Sequence, residues 1–203
     1  MAAMSSSGPA ALELYCNEVT VRFLEKAIVP PYEGPMIRGA FGRAFKESCC
    51  PYPHNGTGCP LGDKCPYAYV FETSPPEEAR DFARNKEVPR PYVFEPPEET
   101  RMEYEPGERT RFGFTVIGRA AGYMPYFVYA FSKMGDEGVG RRKANYELEN
   151  IVARNPLTGA DEEVFDGRRS RTAGCRRAGR TPFGRRGDSK GSACRWSSSR
   201  RPS

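Results

Sequence analysis

Apolar and polar positions change period several times along the chain, and each change marks an element. Val19, Val21 and Phe23 alternate with Thr20 and Arg22, which predicts a strand over residues 12–29, ended by Pro30-Pro31. Ile37, Ala40, Phe41, Ala44 and Phe45 then recur at helical spacing, so residues 35–48 are expected to form a helix with Pro35 in its first turn. Residues 49–66 lose all periodicity and are rich in Cys, Pro and Gly. Residues 67–72 and 91–95 read as strands on either side of a Pro- and charge-rich loop at 74–90, and 96–107 is rich in turn formers. Phe112, Phe114 and Val116 alternate across 110–117, another strand. Residues 124–134 predict a short helix, with Pro125 at its start and Gly135 as its C-cap. The loop Gly138 to Lys143 leads to a strand at 146–152, and residues 155–159 turn it toward a last strand at 163–165.

In order this is β-α-β-β-α-β with an inserted knuckle and an extra hairpin, the split βαβ pattern of a ferredoxin-like α+β domain. Two helices are expected over one face of the sheet. The other face is left open, and in RNA-binding members of this architecture it is the working face. The expected organisation is a flexible N-terminus (1–11), the ferredoxin-like domain (12–166, with the Cys-rich insertion at 49–66) and a tail (167–203).

Charge divides at the same place. The 203 residues carry 31 Lys+Arg and 26 Asp+Glu. Residues 167–203 hold 11 Arg and one Lys against one acid, a net +11, which leaves 19 basic and 25 acidic residues in 1–166, a net −6. The tail contains no Leu, Ile, Val, Met or Tyr. It cannot offset its ordering entropy by burial, so it is expected to be disordered. It reads either as a basic arm for nucleic acid or as sequence translated out of frame after Asp166. The longest nearly apolar run, Tyr123 to Phe131, is about half of the ~18–20 residues that span a bilayer, so no membrane association is expected. Residues 1–20 lack the basic start and apolar stretch of a secretory signal, which points to the cytoplasm.

Four sites carry candidate chemistry. On the helix at 35–48, Gly39, Gly42 and Lys46 lie opposite the apolar stripe, flanked by Arg38 and Arg43. Mid-helix glycines cost roughly 1 kcal/mol each relative to Ala. Either a phosphate clamped by Arg38 and Arg43 approaches that backbone, or another element of the chain packs on it. Cys49, Cys50, Cys59 and Cys65 gather around His54, the only histidine. Thiolates in a Pro- and Gly-rich loop suit a structural zinc, although the spacing is not a paired C-x-x-C; reduced, partly buried thiols are the next reading, and disulfides come last because nothing points to secretion. His54 is also the one imidazole available for acid–base chemistry, and with Tyr32 and Lys46 it makes a group able to cleave RNA without metal. As a surface loop residue or a ligand it would do neither job. Finally, Gly138-Val139-Gly140-Arg141-Arg142-Lys143 combines glycines that free backbone N–H groups with the densest positive run before residue 167.

Several segments together resemble the CRISPR precursor-RNA processing endoribonucleases of the RAMP superfamily. They are Ile37-Arg38-Gly39-Ala40-Phe41-Gly42-Arg43-Ala44, Cys65 to Thr73, Arg90 to Pro97, Ile117-Gly118-Arg119, Tyr123 to Phe127 and Gly138-Val139-Gly140-Arg141, in order over roughly residues 12–166. The resemblance implies an RRM/RAMP-type fold, a CRISPR repeat RNA as partner and CRISPR effector proteins as further partners. It also implies cleavage that needs no cofactor, by 2′-hydroxyl attack leaving a 2′,3′-cyclic phosphate. It does not assign the catalytic residues. Family members carry a second ferredoxin-like half with its own glycine-rich loop. The match here ends near Asp166, so an impaired enzyme, a non-catalytic RNA-binding subunit and a zinc-stabilised binding module all remain open.

Overall fold

The computed structural model describes residues 12–50, 65–71 and 89–168, and the backbone of 178–181. The longest strand, β1 (Leu12–Phe23), sits at the centre of the sheet. It pairs antiparallel with β5 (Arg109–Ile117) on one side and β6 (Tyr146–Arg154) on the other. β3 (Tyr92–Glu95) adds antiparallel outside β5, and β7 (Asp161–Phe165) outside β6, giving the order β3-β5-β1-β6-β7. Since β5 is antiparallel to both β1 and β3, those two are parallel, and the helix between them makes the crossover. With α1 (Gly34–Cys49) after β1 and α3 (Met124–Glu137) after β5, the chain has the ferredoxin-like βαββαβ order, and β7 extends it as a hairpin.

The register explains which face is buried. Val19 pairs with Phe112 and Ile151, and Asn17 with Phe114, so one face of the three central strands is apolar. Both helices lie on that face. Phe41 of α1 is at the middle of the core, with its ring centroid 4.9 to 6.0 Å from those of Phe45, Phe71, Tyr92, Phe94, Phe114, Phe127 and Phe131. Such ring pairs add to the area they bury through their edge and face electrostatics.

Several boundaries differ from expectation for physical reasons. Residues 66–71 are not a strand but a short helix, α2 (Pro66–Phe71). Tyr67 and Phe71 stack one turn apart at 5.3 Å, and Phe71 fills the notch left by Gly42, contacts an extended segment could not make. The strand expected at 12–29 stops at Phe23. Ala27–Ile28 forms a separate two-residue strand, β2, paired with β4 (Glu103–Tyr104) inside the stretch read as turns. α3 runs through Gly135, which is no C-cap. A Cβ there would lie 2.3 Å from the Tyr146 carbonyl oxygen, so the glycine lets the helix sit against β6, and the helix ends at Gly138 with φ +75°. Within the tail, β8 (Ala178–Thr181) pairs antiparallel with the start of β1, although no strand is expected there. The remainder of the tail after Arg168, and residues 1–11, lie outside the described residues, as does the expectation of disorder in them.

Candidate nucleic-acid interface

The α3–β6 loop is built by backbone. Val139 and Ala144 exchange two hydrogen bonds (2.9 and 2.8 Å), closing a four-residue hairpin, and the Arg141 N–H donates to the Ile28 carbonyl of β2 at 2.8 Å. The Asn145 side-chain amide donates to the Gly135 and Asp136 carbonyls (3.1 and 2.6 Å), tying the end of α3 to the same hairpin. Gly138 and Gly140 have φ of +75° and +76°. A Cβ would meet the Lys143 carbonyl oxygen at 2.0 Å in the first case and the Ile28 carbonyl oxygen at 2.4 Å in the second. These glycines therefore answer to the chain's own backbone packing. What they present is Arg141, Arg142 and Lys143, all exposed. Among the described residues none of the three has a carboxylate partner. The anchoring acceptor, Ile28, has no signal in the sequence, because its role depends on a tertiary contact.

On α1 the two arginines part company. Arg43 is held by Glu137 of α3 at 3.2 Å, so its charge is answered within the fold. Arg38 is exposed and its guanidinium carbon stands 5.8 Å from the Tyr92 ring centroid. The two glycines also separate. Phe71 packs on Gly42, where a Cβ would come within 3.0 Å of the ring, whereas a Cβ at Gly39 would meet nothing within 4 Å. A neighbouring element thus accounts for Gly42 and leaves Gly39 open.

The proposed cleavage group is not gathered by the described residues. Tyr32 lies just before α1, two-thirds exposed, and Lys46 lies in its last turn, with its ammonium 5.4 Å from the Tyr67 ring centroid. About 18 Å of helix separates their ends of α1. His54 lies outside the described residues. Of the candidate zinc ligands, Cys59 is also outside them. Cys49 donates its thiol to the Phe45 carbonyl at 2.9 Å. Burial, then the neighbouring Cys65 and Cys50, push that thiol up to about 12. Among the described residues no three His, Cys, Asp or Glu side chains form a group that could hold a metal.

A titratable group that sequence reasoning missed is Glu33. It precedes α1, is 6% exposed, and its carboxylate accepts from the Tyr104 hydroxyl at 3.4 Å. Burial pushes its carboxyl up to about 7, against the pull of that hydrogen bond. Nothing in the local pattern distinguishes it from a surface acid before a helix.

The open face of the sheet differs from the expected RNA surface. Its described strand positions carry no aromatic ring for stacking. Arg154 pairs with Glu18 at 2.8 Å, Arg109 with Glu149 at 2.6 Å, and Arg22 with both Glu149 (3.0 Å) and Glu147. Arg109 first, then Arg22, holds the Glu149 carboxyl below the usual carboxylate range. Arg22, Arg109 and Arg154 are thus paired within the protein, while the exposed Arg111 on the same face has no carboxylate partner among the described residues. Among the described residues no helix is long and apolar enough to cross a membrane.

The sheet order and the two helices define a ferredoxin-like α+β domain, and comparison with solved structures agrees. A chain in the crystal structure of the Csm3-Csm4 subcomplex in the type III-A CRISPR-Cas interference complex has a similar fold, with a TM-score of 0.50 and 13% sequence identity, over 78% of this chain and 93% of that one. The chain belongs to the AF_1859_N family, N-terminal domain, whose model matches residues 12–175. A protein of Archaeoglobus fulgidus, described as "Uncharacterized protein", is 29% identical over 140 residues, 68% of this chain and 45% of that relative. The chain thus spans less than half the length of the curated relative it matches.

Proposed function

We propose that this chain is a CRISPR-associated RNA-binding module that grips single-stranded repeat RNA through Arg141, Arg142 and Lys143. The observation that carries the reading is a backbone-fixed loop presenting three exposed cations, unanswered by any described carboxylate, on a body whose net charge is negative. Such a body repels RNA at long range, so binding has to come from local cations released from internal pairing. The fold likeness to a chain of a CRISPR subcomplex supports the same reading, with effector proteins as further partners and the cytoplasm as the place of work. In the test, labelled single-stranded repeat RNA is titrated at several salt concentrations. Replacing all three residues by Ala should lower affinity by at least about tenfold. It should also flatten the slope of log K against log salt by about 2, from roughly 0.7 per phosphate contact on a single strand. Parental affinity and slope in the triple variant would sink the proposal.

The cleavage step is its finer part. The RNA 2′-oxygen attacks the adjacent phosphorus and the bond to the 5′-oxygen breaks. The proton lost by the 2′-hydroxyl is made good on the leaving oxygen, and the product is a 2′,3′-cyclic phosphate. With Tyr32 and Lys46 at opposite ends of α1, His54 acts with at most one of them in this arrangement. Cyclic-phosphate products formed in EDTA by the parent and lost in His54→Ala support the step, and cleavage that survives the substitution removes His54 from it.

A further inference from the structure

We infer that Arg38, Arg90 and the Tyr92 hydroxyl form a second phosphate subsite, on the β3 side of α1, for the backbone of the same RNA. The inference rests on the RNA-binding reading above. Tyr92 opens the edge strand β3 and is 3% exposed, yet among the described residues its hydroxyl has no hydrogen-bond partner. A buried hydroxyl left without a partner is costly, and Phe would fill the same space without that cost. Two guanidiniums stand beside this phenol. Arg38 lies over its ring at 5.8 Å, and Arg90, two residues before it, donates through Nε to the Phe71 carbonyl at 3.0 Å, while its terminal nitrogens have no acceptor among the described residues. Both act electrostatically on the phenol, Arg38 more strongly than Arg90. Both side chains are exposed, and neither has a carboxylate partner among the described residues.

The ligand that satisfies all three groups is a tetrahedral oxyanion. Its oxygens accept from two planar guanidinium forks and, as Arg38 swings off the ring, from the uncovered phenolic O–H. A carboxylate side chain would satisfy one fork, and a nucleobase would leave the two like charges facing each other. Gly39 adds the approach. Helical spacing places it on the solvent ridge of α1 between Arg38 and Arg43, where a Cβ would meet none of the described residues within 4 Å. Among the described residues Gly39 therefore has no packing reason to be glycine, and a sugar–phosphate strand crossing α1 supplies one.

The test measures binding of a labelled single-stranded RNA by fluorescence anisotropy across a salt series, with thermal midpoints recorded for each protein. Arg38→Ala combined with Arg90→Ala should weaken binding about tenfold and flatten the salt slope by about 0.7, one phosphate's share. Tyr92→Phe should weaken binding about threefold with the slope unchanged and the thermal midpoint not lowered, a pattern a merely structural tyrosine would not produce. Arg111→Ala removes an exposed arginine that has no carboxylate partner among the described residues from the opposite face of the sheet, and should change affinity less than twofold. Parental binding by the double variant, parental binding by Tyr92→Phe, or an equal loss in Arg111→Ala each overturns the subsite. In all three cases RNA binding by the loop stands. A parent protein that binds no RNA overturns both readings. Should the double variant melt early, Arg90→Gln alone carries the charge arm.

Discussion

The two sides of the sheet hold comparable numbers of arginines and use them differently. On the open face, Arg22, Arg109 and Arg154 are stretched along the strands and clasped by Glu18, Glu147 and Glu149, so their charge is consumed in cross-strand pairs. On the helix side, the loop after α3 and the start of α1 lift Arg141, Arg142, Lys143 and Arg38 clear of every described carboxylate. Arg43 and Lys133 are answered there by Glu137 and Glu47. The number of cations therefore says little about where an anion would bind. What matters is whether the fold has placed an acid beside each one, and a regular sheet does that more readily than a loop, because its register brings side chains face to face.

Four substitutions break or sharpen this contrast. The largest effect is expected from Phe41→Ala, which empties the centre of the helix side. A fully buried Phe ringed by seven aromatics should cost about 3–5 kcal/mol, read as a large drop in thermal midpoint or failure to fold. A loss below about 1 kcal/mol would mean that the helices are not packed on the sheet as described. Gly140→Ala comes next. At φ +76° with the Ile28 carbonyl oxygen in the way, alanine should cost about 1–3 kcal/mol and free the loop. Its RNA affinity should fall although all three cations remain. Unchanged affinity would show that the charges act without a fixed loop.

The third concerns pH. Glu33 ionises near 7 when folded and near its ordinary 4.5 when unfolded, so the folded state holds the extra proton between those values. Stability from this group is complete below about pH 4.5, falls as pH rises toward 7, and is level above it. Allowing for partial solvation, the loss is about 1–2 kcal/mol. Glu33→Gln should flatten the thermal midpoint across that window, and an equally steep profile in the variant would assign the loss to another group. The smallest effect is expected from Glu149→Gln on the open face. It weakens the pairs with Arg109 and Arg22, which are partly exposed, and should cost about 0.5–1 kcal/mol, less at high salt. If releasing those arginines raises RNA affinity, the open face is a latent binding surface held shut by its own acids.

Much of this was legible from residues alone. The alternation of Val19, Val21 and Phe23 and the helical stripe of Ile37, Phe41 and Phe45 led directly to β1 and α1, because burial on one face imposes its period on the sequence. The loop cations were visible as a run. Alternation misled at 67–71, where Tyr67, Tyr69 and Phe71 satisfy a strand pattern and a helical turn equally well over so short a stretch. Gly135 looked like a stop signal and proved to be a contact with β6.

By itself the sequence determined the order of the two long helices and of the main strands around them, the apolar face of β1 and α1, the split between an acidic body and a basic tail, and the presence of a glycine-flanked cationic run. Those are local or additive properties, set by side-chain type and spacing. Only the tertiary structure decided which arginine meets a carboxylate, which glycine is filled by a neighbour and which stands open, and that the Tyr92 hydroxyl is buried without a partner among the described residues. Each depends on residues far apart in the chain arriving within a few ångströms of one another, as Arg43 does with Glu137, and no local pattern encodes that meeting.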